Sequence, residues 1–260
     1  MRSAPCSAHC ADIGQCIVPR GDFVMIESKI KAELSRTAAV IGEEGIGRLT
    51  GARVAVFGVG GVGGYVCESL ARSGVGALDI FDMDTVSLSN INRQIIALHS
   101  TVGQYKTEVM RRRILDINPD CDVTEHRVFY MPENADEFDL SRYDFIVDAI
   151  DTVTAKIELA VRASSLSVPL IACMGTGNKL DVSKLTVSDI SKTTVCPLAR
   201  VMRRELRLRG INHLPVLYST ELPLTSGTDE NGKKVPASTA FVPAAAGLMI
   251  GAYVVRELIK

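Results

Sequence analysis

The stretch ARVAVFGVGGVGGYVCESLARSGVGALDIFDMD, residues 52–84, decides the fold. ARVAVFG (52–58) is a short Val-rich apolar run, VGGYVCESLARSG (62–74) has helical spacing and stops on Gly74, and ALDIFDMD (77–84) is apolar again. The rhythm continues downstream. TVGQYKTEVMRRRILDINP (101–119) reads as a helix ended by Pro119, and CDVTEHRVFY (121–130), YDFIVDAI (143–150) and SVPLIACMG (167–175) read as strands. TAKIELAVRASSL (154–166) is the helix between the last two. Strands alternating with helices of this length predict a doubly wound α/β domain with a mostly parallel sheet, because each crossover helix must pack back onto the sheet.

Upstream, Ile26 to Leu49 has a helical pattern, whereas residues 1–24 have neither period and are expected to be a disordered tail. Cys6, His9, Cys10 and Cys16 lie close together there but fit no familiar zinc spacing. One early Arg has no apolar stretch behind it, so no secretory signal is expected, and Met25 is an alternative first residue. After Lys179 the rhythm changes. KLTVSDI (184–190) leads into the helix KTTVCPLARVMRRELRLRG, then VLYSTELP (216–223), the polar loop 225–235 and an apolar C-terminal run. That run is uncharged from Pro236 to Val255, but prolines and hydroxyl residues interrupt it. About 12 residues remain from Ala244, short of the roughly 20 that span a bilayer, so a core helix packed through Gly247 and Gly251 is expected rather than a membrane span.

Composition narrows the function. Twenty-nine basic and 30 acidic side chains exclude a chain coated with positive charge for nucleic acid, though not a local patch. With no Trp and 5% aromatics, a wall of base-stacking platforms is not expected. Seven cysteines, odd in number and scattered through apolar runs, read as reduced thiols of a cytoplasmic chain.

Gly58, Gly60, Gly61 and Gly63 (GVGGVG) stand where the first strand becomes the first helix. There missing Cβ atoms and the helix N-terminus let backbone N–H groups approach a phosphate. Asp82, closing the second strand, is placed to accept ribose hydroxyls. DMDTVSLSNINRQ (82–94) then supplies Asn90 and Arg93, and GQYKTE supplies Lys106 as a second, mobile cation. Two cations suit a triphosphate better than the pyrophosphate diester of NAD. Asp148 and Asp151 (DAID) end the fourth strand, each read either as a magnesium holder or as a cap of the next helix, with magnesium favoured at Asp151.

These motifs, GVGGVG, DMDTVSLSNINRQ, GQYKTE, INP and DAIDT, resemble the ThiF/HesA superfamily of adenylating enzymes, which is similar to the ubiquitin-activating enzymes. The resemblance is strong over roughly residues 30–190 and looser beyond. It implies a Rossmann-like, E1-like domain over 25–260, with a nucleotide-binding half at about 50–175 and a crossover and C-terminal lobe at about 176–260. It implies ATP and Mg²⁺ as cofactors. Asp82 would bind the ribose, Asn90, Arg93 and Lys106 the phosphates, and Asp151 the metal. Arg36 would reach the partner's ATP across a homodimer. Thr152 stands where the family pattern has Asn.

Relatives serving molybdopterin and thiamine synthesis usually carry paired Cys-x-x-Cys motifs. This chain has none, so no zinc site is expected. INRQIIALHSTVGQYKTEVMRRRILDINP and the KTTVCPLARVMRRELR segment are similar instead to the tRNA threonylcarbamoyladenosine dehydratase branch. That similarity implies ATP-dependent adenylation and cyclisation of a carboxylate on the tRNA base beside the anticodon. The alternative is activation of a sulfur-carrier protein's terminal glycine, with a cysteine desulfurase or sulfur-acceptor system as a partner. Two features bear on the choice. Arg200, Arg203, Arg204 and Arg207 share one helical face, read equally as a tRNA contact or a solvated face. Cys196 stands at a helix start where the dipole favours a thiolate, and is read as a reactive thiol or, preferentially, as a small cap residue.

Overall fold

β1 (Arg53–Phe57) is a continuous apolar strand buried on both faces, as a central parallel strand must be. It lies in a computed structural model that describes residues 31–224, 227–228, 234–235 and 237–260. The tail, its Cys/His group and the start of the helical pattern at Ile26 lie outside the described residues. From 35 onward α1 (Ser35–Gly51) forms, broken at Gly42, whose φ of 78° is left-handed.

α2 (Gly63–Arg72) returns the chain to β2 (Ala77–Phe81), which pairs in parallel with β1, Phe57 against Phe81. α3 (Lys106–Ile117) leads to β3 (Asp122–His126), on the far side of β2. β4 (Phe145–Asp148) lies on the other side of β1, followed by α4 (Val153–Ser165) and β5 (Leu170–Cys173). β6 (Leu185–Asp189), α5 (Pro197–Leu208) and β7 (Pro215–Ser219) complete a seven-stranded sheet of order β3-β2-β1-β4-β5-β7-β6, antiparallel only at β6. Gly227–Thr228 and Lys234–Val235 pair as a short ribbon, β8 and β9. The doubly wound expectation holds, with the C-terminal segments extending the same sheet.

Alternation along the strands builds two cores. Val54, Val56, Leu78 and Ile80 pack one face with α2 and the C-terminal helix, while Ala55, Phe57, Ile146 and Ala172 pack the other with α4 and α5. α6 (Phe241–Leu258) is 18 residues long rather than 12, because Pro243 falls in its first turn, where a missing N–H costs no helical hydrogen bond. By length and composition it is long enough to cross a membrane. Its glycine face is nonetheless packed on α2: a Cβ at Gly247 would stand 2.7 Å from Tyr65 Cβ, so the two backbones meet closely.

α3 also begins later than the pattern suggests. Gly103 adopts φ 87°, Tyr105 bridges to Thr85, and Lys106 N donates to Asp84 O at 2.9 Å. Residues 101–105 are thereby tied to the loop after β2, and Lys106 emerges beside Asp84.

Asp79 on β2 is fully buried and accepts from Arg53 (2.5 Å), His126 (2.8 Å) and Tyr143 (3.1 Å). Burial would raise its carboxyl, but the bonds from His126, Arg53 and Tyr143 hold it below the ordinary carboxylate value. A depressed carboxyl contributes stability above the unfolded value of about 3.9, and that contribution disappears as pH falls through the folded value. The Tm difference between the parent and Asp79→Asn is therefore expected to shrink as melts are taken below about pH 4. A difference that stays constant to pH 3 contradicts this assignment.

Candidate active site

A cavity of about 520 Å³ opens at the carboxyl ends of β1, β2 and β4, where open parallel sheets bind ligands. Its walls fall into distinct chemistries. Phe57, Phe81, Val128, Tyr130 and Ile150 form an apolar end. Phe57 and Phe81 stack with ring centroids 4.0 Å apart, and Phe81 stacks at the same distance on His126. β3 ends at His126 rather than at Tyr130, and residues 128–130 fold over this end of the cavity.

The glycine turn forms the floor. A Cβ on Gly63 would overlap the Gly58 carbonyl oxygen, and one on Gly58 would stand 2.7 Å from Ala149 O. Gly60 differs: the nearest atom to its Cβ position is Gln94 Nε2 at 3.9 Å, so its backbone faces open cavity. This is the close approach that phosphate binding at a helix N-terminus requires.

Asp82 closes β2 and accepts from Val59 N at 2.8 Å and Asp84 N at 2.9 Å. Burial pushes its carboxyl above the ordinary value, against the pull of Lys106 and those two N–H groups. Lys106 is 7% exposed, with Nζ 2.6 Å from Asp84 Oδ2 and 3.7 Å from Asp82 Oδ1. It is an anchored cation in the cavity wall rather than the mobile one expected. Arg93 lines the same wall, donating from Nη1 to Ser89 O (2.8 Å) and Asn92 Oδ1 (2.9 Å). Asn90 beside it accepts from Ser87 N at 3.1 Å.

The two DAID carboxylates separate. Asp151 is exposed and lines the cavity, whereas Asp148 is fully buried and paired with Lys156 at 2.9 Å. Capping explains neither, because the N-cap of α4 is Thr152. Among the described residues no three His, Cys, Asp or Glu side chains gather as a metal centre. Asp151 at the cation-lined wall suits Mg²⁺, which takes one or two carboxylates and completes its shell with phosphates and water. The fold also adds wall residues that local sequence did not single out. Thr176 and Gly177 come from the loop after β5, and Ser238 from the segment before α6, whose carbonyl accepts from Asn92 Nδ2 at 2.9 Å. Gln94 lies within a quoted motif, but nothing in local spacing marks Ser238.

Other expected residues fall outside the cavity. Arg36 is exposed on α1. Cys196 is the N-cap of α5 but only 5% exposed, packed in the core beside Ala199 and Met202, and its side chain makes no capping bond. Its burial fits the preferred reading as a small residue at the helix start, with the thiol in the core rather than in the cavity wall. Arg203 likewise leaves the proposed tRNA face. The buried stripe Ala199, Met202, Leu206 draws it inward, and its Nη1 donates to Thr193 O (2.9 Å), Thr193 Oγ1 (2.7 Å) and Ile190 O (3.3 Å). Arg200, Arg204 and Arg207 point outward, Arg204 paired with Glu205 at 2.8 Å.

A parallel sheet with a glycine turn, a carboxylate closing β2 and a cation-lined cavity at its carboxyl edge is the arrangement of a nucleotide-binding α/β protein of the adenylating, E1-like kind. Residues 34–260 match the ThiF family, and the chain belongs to it. It is 43% identical over 241 residues to the tRNA threonylcarbamoyladenosine dehydratase of Bacillus subtilis (strain 168), spanning 88% of this chain and 95% of that one. The solved structure of the Escherichia coli tRNA N6-threonylcarbamoyladenosine dehydratase in complex with ATP superposes with a TM-score of 0.81 at 32% identity, over 87% of this chain and 93% of that one. Similarity to the molybdopterin-synthase adenylyltransferase of E. coli (strain K12) is 36% over 135 residues, half of this chain and 51% of that one.

Proposed function

We infer that this protein is an ATP-dependent tRNA threonylcarbamoyladenosine dehydratase. The observation that carries the reading is the near full-length identity to the B. subtilis dehydratase, joined to a cavity with one apolar end and one cation-lined end. In this reading the adenine lies against Phe57 and Phe81, Asp82 accepts from the ribose, and Asn90, Arg93 and Lys106 hold the phosphates. Asp151 would hold Mg²⁺, which would supply neutralisation of the phosphate charge. The substrate's carboxylate oxygen attacks the α-phosphorus and pyrophosphate leaves, giving an acyl-adenylate. The ureido nitrogen of the same side chain then attacks the acyl carbon, loses its proton to solvent and displaces AMP. A five-membered ring closes with net loss of one water. Since nucleophile and electrophile belong to one side chain, positioning and charge neutralisation suffice, and no protein nucleophile is needed.

In this reading Arg200, Arg204 and Arg207 on the outer face of α5 would contact the tRNA backbone. Arg36, exposed on α1, would reach the partner's ATP in a homodimer. Buried free thiols at Cys67, Cys121, Cys173 and Cys196 support a reducing, cytoplasmic setting. Cys196 itself is buried and offers a sulfur-relay partner no open thiol. AMP release tests the reading. It is expected with tRNA carrying N6-threonylcarbamoyladenosine and not with a carrier protein ending in Gly-Gly, and the reverse pattern overturns it. In the same assay Arg204→Glu/Arg207→Glu is expected to raise the tRNA concentration needed for half-maximal rate, more so at low salt.

A further inference from the structure

Asp148 and Lys156 are an ion pair with both side chains fully enclosed, Nζ to Oδ2 2.9 Å. Burial raises the Asp148 carboxyl, against the attraction of Lys156. Enclosed pairs of this kind add little net stability over apolar residues of the same volume, because desolvation offsets their attraction. Their contacts here are specific. Asp148 Oδ1 accepts from Ile150 N at 3.1 Å, and Lys156 Nζ donates to Ile150 O at 3.2 Å. The pair thus holds both polar groups of a single backbone residue. On the other side Ala149 N donates to Phe57 O at 2.8 Å, and Ala149 O abuts the glycine turn at Gly58. The residue that follows this doubly held Ile150 is Asp151, exposed in the cavity.

We propose that the Asp148–Lys156 pair is a positioning device for the nucleotide site: it locks Ile150 at both ends and so fixes where the Asp151 carboxylate presents its oxygens to the metal–phosphate group. Neither residue touches the nucleotide. The proposal rests on the reading of Asp151 given above. Groups that orient a metal-holding residue from behind typically change affinity for the metal by about 10–100-fold when removed.

The test is calorimetric titration of ATP into the whole protein with and without Mg²⁺, alongside thermal melts. Asp148→Asn/Lys156→Met removes both charges together, keeps an acceptor for Ile150 N and deletes the donor to Ile150 O. It is expected to melt near the parent and bind metal-free ATP within about twofold, while the gain in affinity from Mg²⁺ falls about tenfold. Asp151→Asn is expected to lose the same gain. A folded double variant with the parent's full Mg²⁺ gain, beside an Asp151→Asn that has lost it, overturns the proposal. An Asp151→Asn that keeps the gain overturns the reading of Asp151 instead. Should the neutral pair not fold, Lys156→Arg keeps the charge but offers a planar fork where a compact ammonium met both partners. A loss of the Mg²⁺ gain smaller than the roughly tenfold of the neutral pair is expected from it, and an unchanged gain overturns the proposal.

Discussion

Arg93→Ala is expected to slow ATP–pyrophosphate exchange by about 10²–10³-fold, the usual cost of removing one fixed donor from a site where phosphate charge develops. Its guanidinium is held at one edge by Ser89 O and Asn92 Oδ1, so it is presented to the cavity without further ordering. It is absent from both apolar cores, and its loss is expected to leave Tm within about 1 °C of the parent, in line with the small stability effects of substitutions away from packed sites. Arg93→Lys should recover only part of the rate, since a single ammonium cannot reproduce the planar fork. Exchange measured beside a thermal melt checks both halves. An alanine variant that exchanges at the parental rate removes Arg93 from the site.

Gly63→Ala is expected to damage the fold and the site together. Its Cβ would overlap the carbonyl oxygen of Gly58, a backbone atom that cannot swing aside as a side chain can. Overpacking of this kind costs about 1–3 kcal/mol or more. The displacement falls on the turn that forms the cavity floor, so ATP binding should be lost along with part of the Tm. Gly60→Ala is the informative contrast. Its Cβ meets nothing nearer than Gln94 Nε2 at 3.9 Å, so the chain should fold normally while the new methyl occupies the place of a phosphate. Equal melting and equal ATP affinity in the two variants would show that the turn is structural alone.

The sheet was legible because fully buried parallel strands leave uninterrupted runs such as Val54–Phe57, ended by Gly58, and Phe145–Val147. The nucleotide wall was legible for the same local reason, since Asp82, Asn90 and Arg93 sit within one short segment. What local pattern could not show is pairing at a distance. Lys106 is anchored because Tyr105 bridges to Thr85, twenty residues earlier, and Arg203 turns inward because the stripe of Ala199, Met202 and Leu206 borders it. A helical-wheel argument counts four arginines on one face but not where the core meets that face. Nothing in the local pattern marks Lys156, which the fold sets, wholly enclosed, against Asp148. Thr176 and Ser238 joined the wall only through the return of the chain to the sheet edge, and no spacing rule connects them.

On the proposed function, this cavity spends one ATP to remove one water from a modified tRNA base. The direct measurement is the mass of the nucleosides recovered from tRNA bearing N6-threonylcarbamoyladenosine after incubation with the protein, ATP and Mg²⁺. The modified adenosine should be lighter by one water, in step with the AMP and pyrophosphate formed. An unchanged mass in the presence of a folded, ATP-binding protein would contradict the account.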